Sequence, residues 1–184
     1  AFKELILSQN ADYMIIWNLL AEELANDDKV KAVIFAGPSS SGKTGGSTKL
    51  AQLMTNKGSP TQHVEIDMYF WLANQQPMTR KEAFNYEQPV SIRLNQAGRD
   101  LVDVLDGYQI DLPQHGFGVS GVVTYKPFSV PKGTKLMIDS HMGLNPNLAR
   151  AIIERFGEEA VKVVYIENYH GFEGVLEEDI RFLR

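Results

Sequence analysis

The chain has 184 residues, 43% hydrophobic and 22% charged, enough for one globular domain with a sizeable core and with no linker or low-complexity stretch to divide it. Its net charge of −5, with the 18 basic residues scattered, excludes a polycationic face for nucleic acid but not a small anionic ligand, which local backbone dipoles can hold. The lack of cysteine excludes disulfides and thiolate-bound zinc and suits a reducing, cytoplasmic setting. From the N-terminus, residues 2–25 cluster their apolar positions on one side and predict an amphipathic helix, ended by Asn26, Asp27 and Asp28. The apolar stretch 14–20 lacks a basic start and is followed by Glu22 and Glu23, so neither a signal peptide nor a membrane span is expected. Residues 30–36 predict a strand, and Leu50, Leu53 and Met54 a helix stopped at Gly58. A second strand over 64–67 ends on Asp67, with an irregular stretch from 71 to 89 after it. Leu94, Ala97, Leu101, Val104 and Leu105 define a helix closing at Gly107. The Gly/Pro-rich segment 113–133 predicts a small β-excursion with its best strand over 122–125. Beyond it come a strand over 135–139, a helix over 148–156 ending at Gly157, and a strand over 161–166. Strands alternating with helices at this spacing imply a mainly parallel sheet with helices on both faces.

The most specific signal is Gly37-Pro38-Ser39-Ser40-Ser41-Gly42-Lys43-Thr44, a complete G-x-x-x-x-G-K-[ST] phosphate-binding loop directly after the apolar run 33–36. Chance supplies such a match in a chain of this length about once in a hundred. The glycines let successive backbone N–H groups turn inward on one anion, and the following helix adds the partial positive charge of its N-terminus. The nucleotide-binding residues expected are therefore Gly37, Ser39, Ser40, Ser41, Gly42, Lys43, Thr44 and Gly45. Lys43 would reach the β- and γ-phosphates and act in catalysis, and the Thr44 hydroxyl would ligate Mg²⁺. The fold class predicted is an α/β, P-loop NTPase-type parallel sheet with helices on both faces and a small β-excursion.

A phosphate loop is an incomplete site, because phosphoryl transfer also needs an oriented nucleophile and charge neutralisation. Carboxylates at the C-terminal ends of the strands, where ligands of such sheets sit, can supply both. Asp67 is expected at the end of the strand beside the one feeding the loop, placed to accept a proton from an acceptor hydroxyl. Asp139 closes the apolar run 136–138 and is expected to organise Mg²⁺. For either aspartate taken singly, capping or turn formation is the commoner explanation. His115 and His141 have no His or Cys companion at ligand spacing and fit polar pocket or loop positions. Trp17 and the stripe 14–20 read as core. Trp71, beside Tyr69 and Phe70, either stacks on a base or packs the loop.

These segments together resemble the uridine kinase and phosphoribulokinase family of P-loop kinases over nearly the whole length. Residues 33–44 resemble the first strand and loop of bacterial uridine kinase-like proteins, and Ile66-Asp67-Met68-Tyr69-Phe70 is similar to their Leu-Asp-Asp-Tyr-Tyr segment, whose first aspartate acts as base. Phe84-Asn85-Tyr86-Glu87-Gln88-Pro89 resembles their Tyr-Asp-Phe-Glu-His-Pro element near the acceptor sugar, and residues 138–145 resemble Ile-Glu-Gly-Ile-His-Gly-Leu-Asn. Residues 179–184 are similar to the start of an arginine-bearing lid. The resemblance implies ATP and Mg²⁺ as cofactors and transfer of the γ-phosphate to a hydroxyl of a nucleoside, uridine- or cytidine-like, or of a related sugar. It implies substrate contacts from Tyr69, Glu87, His115 and Phe117, and lid cations at Arg181 and Arg184. A small-molecule acceptor is the expected partner, with no nucleic acid and no membrane; a homo-oligomer stays open.

The chain departs from the family in several places. Gly45 and Gly46 occupy the first helical turn where Thr or Ser is usual, at a cost of up to about 1 kcal/mol each relative to alanine, so replacing both is expected to stabilise the helix start. Met68 stands for a second aspartate, Val90 for an acid, and Pro113-Gln114-His115-Gly116-Phe117 lacks the tyrosine and aspartate of the family's pocket segment. The expected organisation is one P-loop kinase domain over 1–184, with 1–28 an N-terminal helix and the lid curtailed at Arg184. Two other functions fit the same residues: a nucleotide-binding module weakened in catalysis, and a P-loop NTPase that needs no acceptor.

Overall fold

The computed structural model describes residues 2–37, 42–71, 92–114, 123–141, 143–166 and 180–183. The apolar run before the phosphate loop forms strand β1 (Ala32–Ala36), all five residues of which are inaccessible to solvent. A strand becomes this dry only in the middle of a sheet covered on both faces. β1 pairs in parallel with β5 (Lys135–Ser140) on one side and with β6 (Val161–Ile166) on the other. β2 (Thr61–Glu65) pairs in parallel with the far edge of β5, and β7 (Ile180–Leu183) closes the opposite edge antiparallel to β6, so the order is β2-β5-β1-β6-β7. Strands β3 (Ile110–Gln114) and β4 (Thr124–Phe128) make a separate antiparallel pair, which is the predicted excursion. Its second strand, Thr124–Phe128, takes in residues 124 and 125 of the expected strand and runs on to 128, while residue 122 lies outside the described residues.

Side chains alternate across a strand, and the alternation divides the core in two. Ala32, Ile34, Leu136 and Ile138 face one cluster with Leu94, Ala97, Leu101 and Val104 of helix α3 (Leu94–Asp106) and Leu148 and Ile152 of α4 (Pro146–Phe156). Val33, Phe35, Met137, Val164 and Ile166 face the other, with Trp17, Leu20 and Leu24 of α1 (Phe2–Asn26) and Leu50 and Met54 of α2 (Lys43–Asn56). Each such aliphatic side chain, fully buried, contributes about 1.5–3 kcal/mol. Helices thus cover both faces, as predicted, and Trp17 is core, stacked on Phe35 with ring centroids 5.9 Å apart. Among the described residues no helix is long and apolar enough to cross a membrane.

The boundaries follow local chemistry. β1 starts at Ala32 and not at residue 30, because the Val30 N–H turns back to the Asp27 carbonyl at 3.2 Å and the Lys31 N–H donates to the Ala160 carbonyl. The end of α1 is held from a distance: Lys135 Nζ donates to the carbonyls of Leu24, Ala25 and Asp27 at 2.7, 3.1 and 2.8 Å, satisfying acceptors that a helix end leaves open. Its burial pushes the Lys135 pKa below the usual lysine value, with Asp27 and Asp28 opposing. α3 ends at Gly107 in the left-handed conformation (φ 97°), as its sequence predicts.

Candidate functional site

Glycine is required at the mouth of the loop: Gly42 adopts φ 78° as the N-cap of α2, and its carbonyl accepts the Gly46 N–H at 3.0 Å to begin the helix. Gly42 offers no side-chain cap and the first turn carries no acid, so the N-terminus of α2 is electrostatically suited to an anion. Lys43, Thr44 and Gly45 lie in this turn; Ser39, Ser40 and Ser41 lie outside the described residues. Gly45 has open space where a side chain would go. Gly46 does not, which corrects the expectation that both glycines could be replaced with profit. A Cβ there would stand 2.9 Å from Phe35 Cζ and 3.3 Å from Trp17 Cη2, two rings with nowhere to move.

Parity along β5 sends Asp139 to the same side as Met137, toward α2. There the Thr44 hydroxyl donates to Asp139 Oδ2 at 2.7 Å and the Ser47 hydroxyl, one turn on, approaches the same oxygen at 3.4 Å. His63 on β2 completes the group, its Nε2 at 2.9 Å from Ser47 Oγ and 3.8 Å from Asp139 Oδ2. The Asp139 side chain is only 6% exposed, and these contacts compensate the burial of a carboxylate. Sequence reasoning missed Ser47 and His63. Their signal is the i, i+3 spacing of Thr44 and Ser47, which puts both hydroxyls on one helical face. A hydroxyl and a carboxylate at the end of a phosphate loop are hard oxygen donors of the kind Mg²⁺ takes. Among the described residues no three His, Cys, Asp or Glu side chains gather to cage a metal. An ion here would therefore draw its other ligands from phosphate oxygens and water, as Mg²⁺ does.

Asp67 is not where the sequence put it. β2 stops at Glu65, and a 3₁₀ turn, Ile66–Tyr69, carries Asp67; moreover β5 stands between β2 and β1, so the carboxylate next to the loop strand is Asp139. In a 3₁₀ turn residues i and i+3 eclipse, and here Ile66 and Tyr69 are the buried pair, leaving the Asp67 side chain 41% exposed. Asp67 Oδ1 lies 3.1 Å from His141 Nδ1. His141, 10% exposed, stacks on Phe70 with centroids 5.3 Å apart. The turn after β5 brings it there, and Gly143 permits the turn, since a Cβ at that position would lie 2.7 Å from Ala36 Cβ and 2.8 Å from Ile34 Cγ2. The pocket histidine of the sequence is therefore the partner of the proposed base.

Tyr69 is not available to a substrate. It is wholly buried, and its hydroxyl donates to Asp100 Oδ2 at 2.7 Å. Desolvation, then the bond to Asp100, pushes the phenol far above its usual pKa, and desolvation likewise raises that of Asp100. Trp71, 37% exposed, has the Arg93 guanidinium 5.3 Å from its ring centroid. Residues 180–183, expected to begin a lid, form the edge strand β7 with Arg181 in register with Tyr165. Glu87, His115, Phe117 and Arg184 lie outside the described residues.

No protein-family model matches this chain, and no curated protein sequence does. Among solved structures, that of a possible uridine kinase from Bacillus stearothermophilus is similar to it, with a TM-score of 0.59 and 16% identity over 75% of this chain and 71% of that one. At that identity the likeness is one of fold: this chain has an α/β, P-loop NTPase-type architecture.

Proposed function

We propose that the chain is a P-loop kinase that transfers the γ-phosphate of ATP to a hydroxyl of a nucleoside or related sugar. The observation that carries the reading is the 2.7 Å contact between the loop's Thr44 hydroxyl and the buried Asp139, which joins the phosphate loop to the carboxylate needed beside it. Lys43 and the first amides of α2 bind and orient the phosphates. Thr44 and Asp139 would hold Mg²⁺, which when bound neutralises charge on the phosphates. Asp67 takes the proton of the acceptor hydroxyl as that oxygen bonds to the γ-phosphorus and the bridge to the β-phosphate breaks, releasing ADP. His141, donating from Nδ1 to Asp67 Oδ1, fixes the carboxylate so that the other oxygen serves as base. Similarity of fold to a possible uridine kinase supports this assignment.

The test is an ADP-release screen with Mg·ATP over nucleosides, sugars and sugar phosphates beside a control without acceptor. Acceptor-dependent release is the result expected. Release in water alone, unchanged by any acceptor, would make the protein an NTPase, and Mg·ATP binding with no release would make it a non-catalytic nucleotide module.

A further inference from the structure

A cleft of about 430 Å³ opens between the start of α3 and the start of α4, in the size range of small-molecule sites. Its walls come from the start of α3 and from the residues that follow the two segments holding Asp67 and His141. On one side Trp71 follows the 3₁₀ turn, and Arg93, the N-cap of α3, is tied to that turn by its N–H on the Tyr69 carbonyl at 3.0 Å and by the bridge between Phe70 and Ile92. On the other, Asn145 and Asn147 follow His141 by four and six residues.

The lining is charged in one sense. Arg93 and Arg99 face the cleft together with amide side chains, and among the described lining residues there is no carboxylate, in a chain whose net charge is −5. Arg93 is held in place: its Nε donates to the Tyr69 carbonyl at 3.3 Å, its Nη1 to Gln96 Oε1 at 3.0 Å, and its plane lies over Trp71. Among the described residues neither arginine forms a close salt bridge; Asp100, outside the lining, feels the charge of both, and its Oδ2 is engaged by the Tyr69 hydroxyl. Two guanidinium groups at the wall of a small cleft whose described lining has no carboxylate, one of them already immobilised, are matched by a carboxylate or phosphate, which guanidinium binds through paired N–H donors.

We infer that this cleft binds the oxyanion group of a small organic phosphate or carboxylic acid, with Arg93 and Arg99 as its counter-charges. Resting on the kinase reading above, that ligand is the acceptor, and its anionic end is anchored here while a hydroxyl is turned toward Asp67. A neutral nucleoside would bring no counter-charge to the two cations of the lining.

The experiment compares ribose 5-phosphate, ribonate, ribose and uridine as probes, with the phosphate loop filled by a non-hydrolysable ATP analogue and Mg²⁺. Binding is followed by calorimetry and by tryptophan fluorescence, in which the half-exposed Trp71 responds and the buried Trp17 does not. At least one anionic probe should bind about tenfold or more tighter than ribose, and Arg99→Gln should remove that advantage while leaving the affinity for the ATP analogue unchanged. Arg99 is exposed and makes no side-chain hydrogen bond among the described residues, so this variant keeps the fold; an unchanged melting midpoint checks it. Ribose 5-phosphate alone responding identifies a phosphate ester, ribonate alone a carboxylic acid. Equal binding of charged and neutral probes, or anion binding that Arg99→Gln does not weaken, overturns the inference. The same samples assayed for ADP release with ATP separate it from the kinase reading. Arg99-dependent binding without ADP release keeps the oxyanion site and removes the kinase; turnover of ribose or uridine insensitive to Arg99→Gln does the reverse.

Discussion

Two carboxylates stand at the same end of the sheet and are held in opposite ways. Asp139, 6% exposed, is locked by Thr44, Ser47 and His63, all from elements packed in the core. Asp67, 41% exposed, sits on a single 3₁₀ turn with His141 as its described partner. The donor half of the proposed site is thus built into the fold, whereas the acceptor half is attached to its margin. Phosphates are the same in every nucleoside triphosphate, so their site can be rigid, while an acceptor site exposed at the margin can change its side chains without disturbing the sheet.

The largest expected effect breaks this comparison at the base. Asp67→Asn keeps shape but removes proton affinity, so acceptor phosphorylation should fall by about 10²- to 10⁴-fold with little change in Mg·ATP affinity. Asp139→Asn should instead lower affinity and rate together, since it disturbs the donor half. Steady-state kinetics on the acceptor found by the screen, with ATP titrations of each variant, decide the matter; equal behaviour of the two variants would abolish the division.

A smaller effect sharpens the donor half. Thr44→Ala deletes the hydroxyl that meets Asp139, and ATP affinity should drop by about tenfold or more with Mg²⁺ present but far less in EDTA. An identical loss in both media would deny the hydroxyl its metal role.

Stability separates the two glycines beneath that half. Gly46→Ala should cost about 1–3 kcal/mol by overpacking Phe35 and Trp17, whereas Gly45→Ala, with open space around it, should gain up to about 1 kcal/mol. Denaturant midpoints of the two variants should therefore move in opposite directions.

The smallest effect concerns the margin. Burial raises the folded-state pKa of Asp100 above its ordinary 3.8, so the folded form prefers the proton. Its contribution to stability is full below pH 3.8 and is lost as pH rises through the folded value. Asp100→Asn should remove that slope: the parent gains stability relative to the variant as pH falls toward 4. Parallel stability curves from pH 7 to pH 4 would show that Asp100 is not perturbed.

Most elements and the phosphate-loop motif could be read from the sequence, because both are written in local chemistry. The period of Leu94, Ala97, Leu101 and Val104, the glycine closing α3 at residue 107 and the spacing of Gly37, Gly42, Lys43 and Thr44 act within a few residues of chain. Asp139 was legible too, since an apolar strand ending on an acid needs no partner to be recognised. The rest depends on contacts between segments far apart in the chain. Strand order depends on which edges pair, so nothing near Asp67 could tell that β5 would lie between β2 and β1. Tyr69 and Asp67 are two residues apart in one turn, yet one is core and the other half-exposed, because a single 3₁₀ turn has one buried side. Gly46 and Gly45 are identical in sequence terms, and only the packing of Phe35 and Trp17 from β1 and α1 makes one indispensable. The meetings of His141 with Asp67 and of His63 with Ser47 join residues 74 and 16 positions apart, contacts that no local pattern encodes and that exist once the sheet has closed.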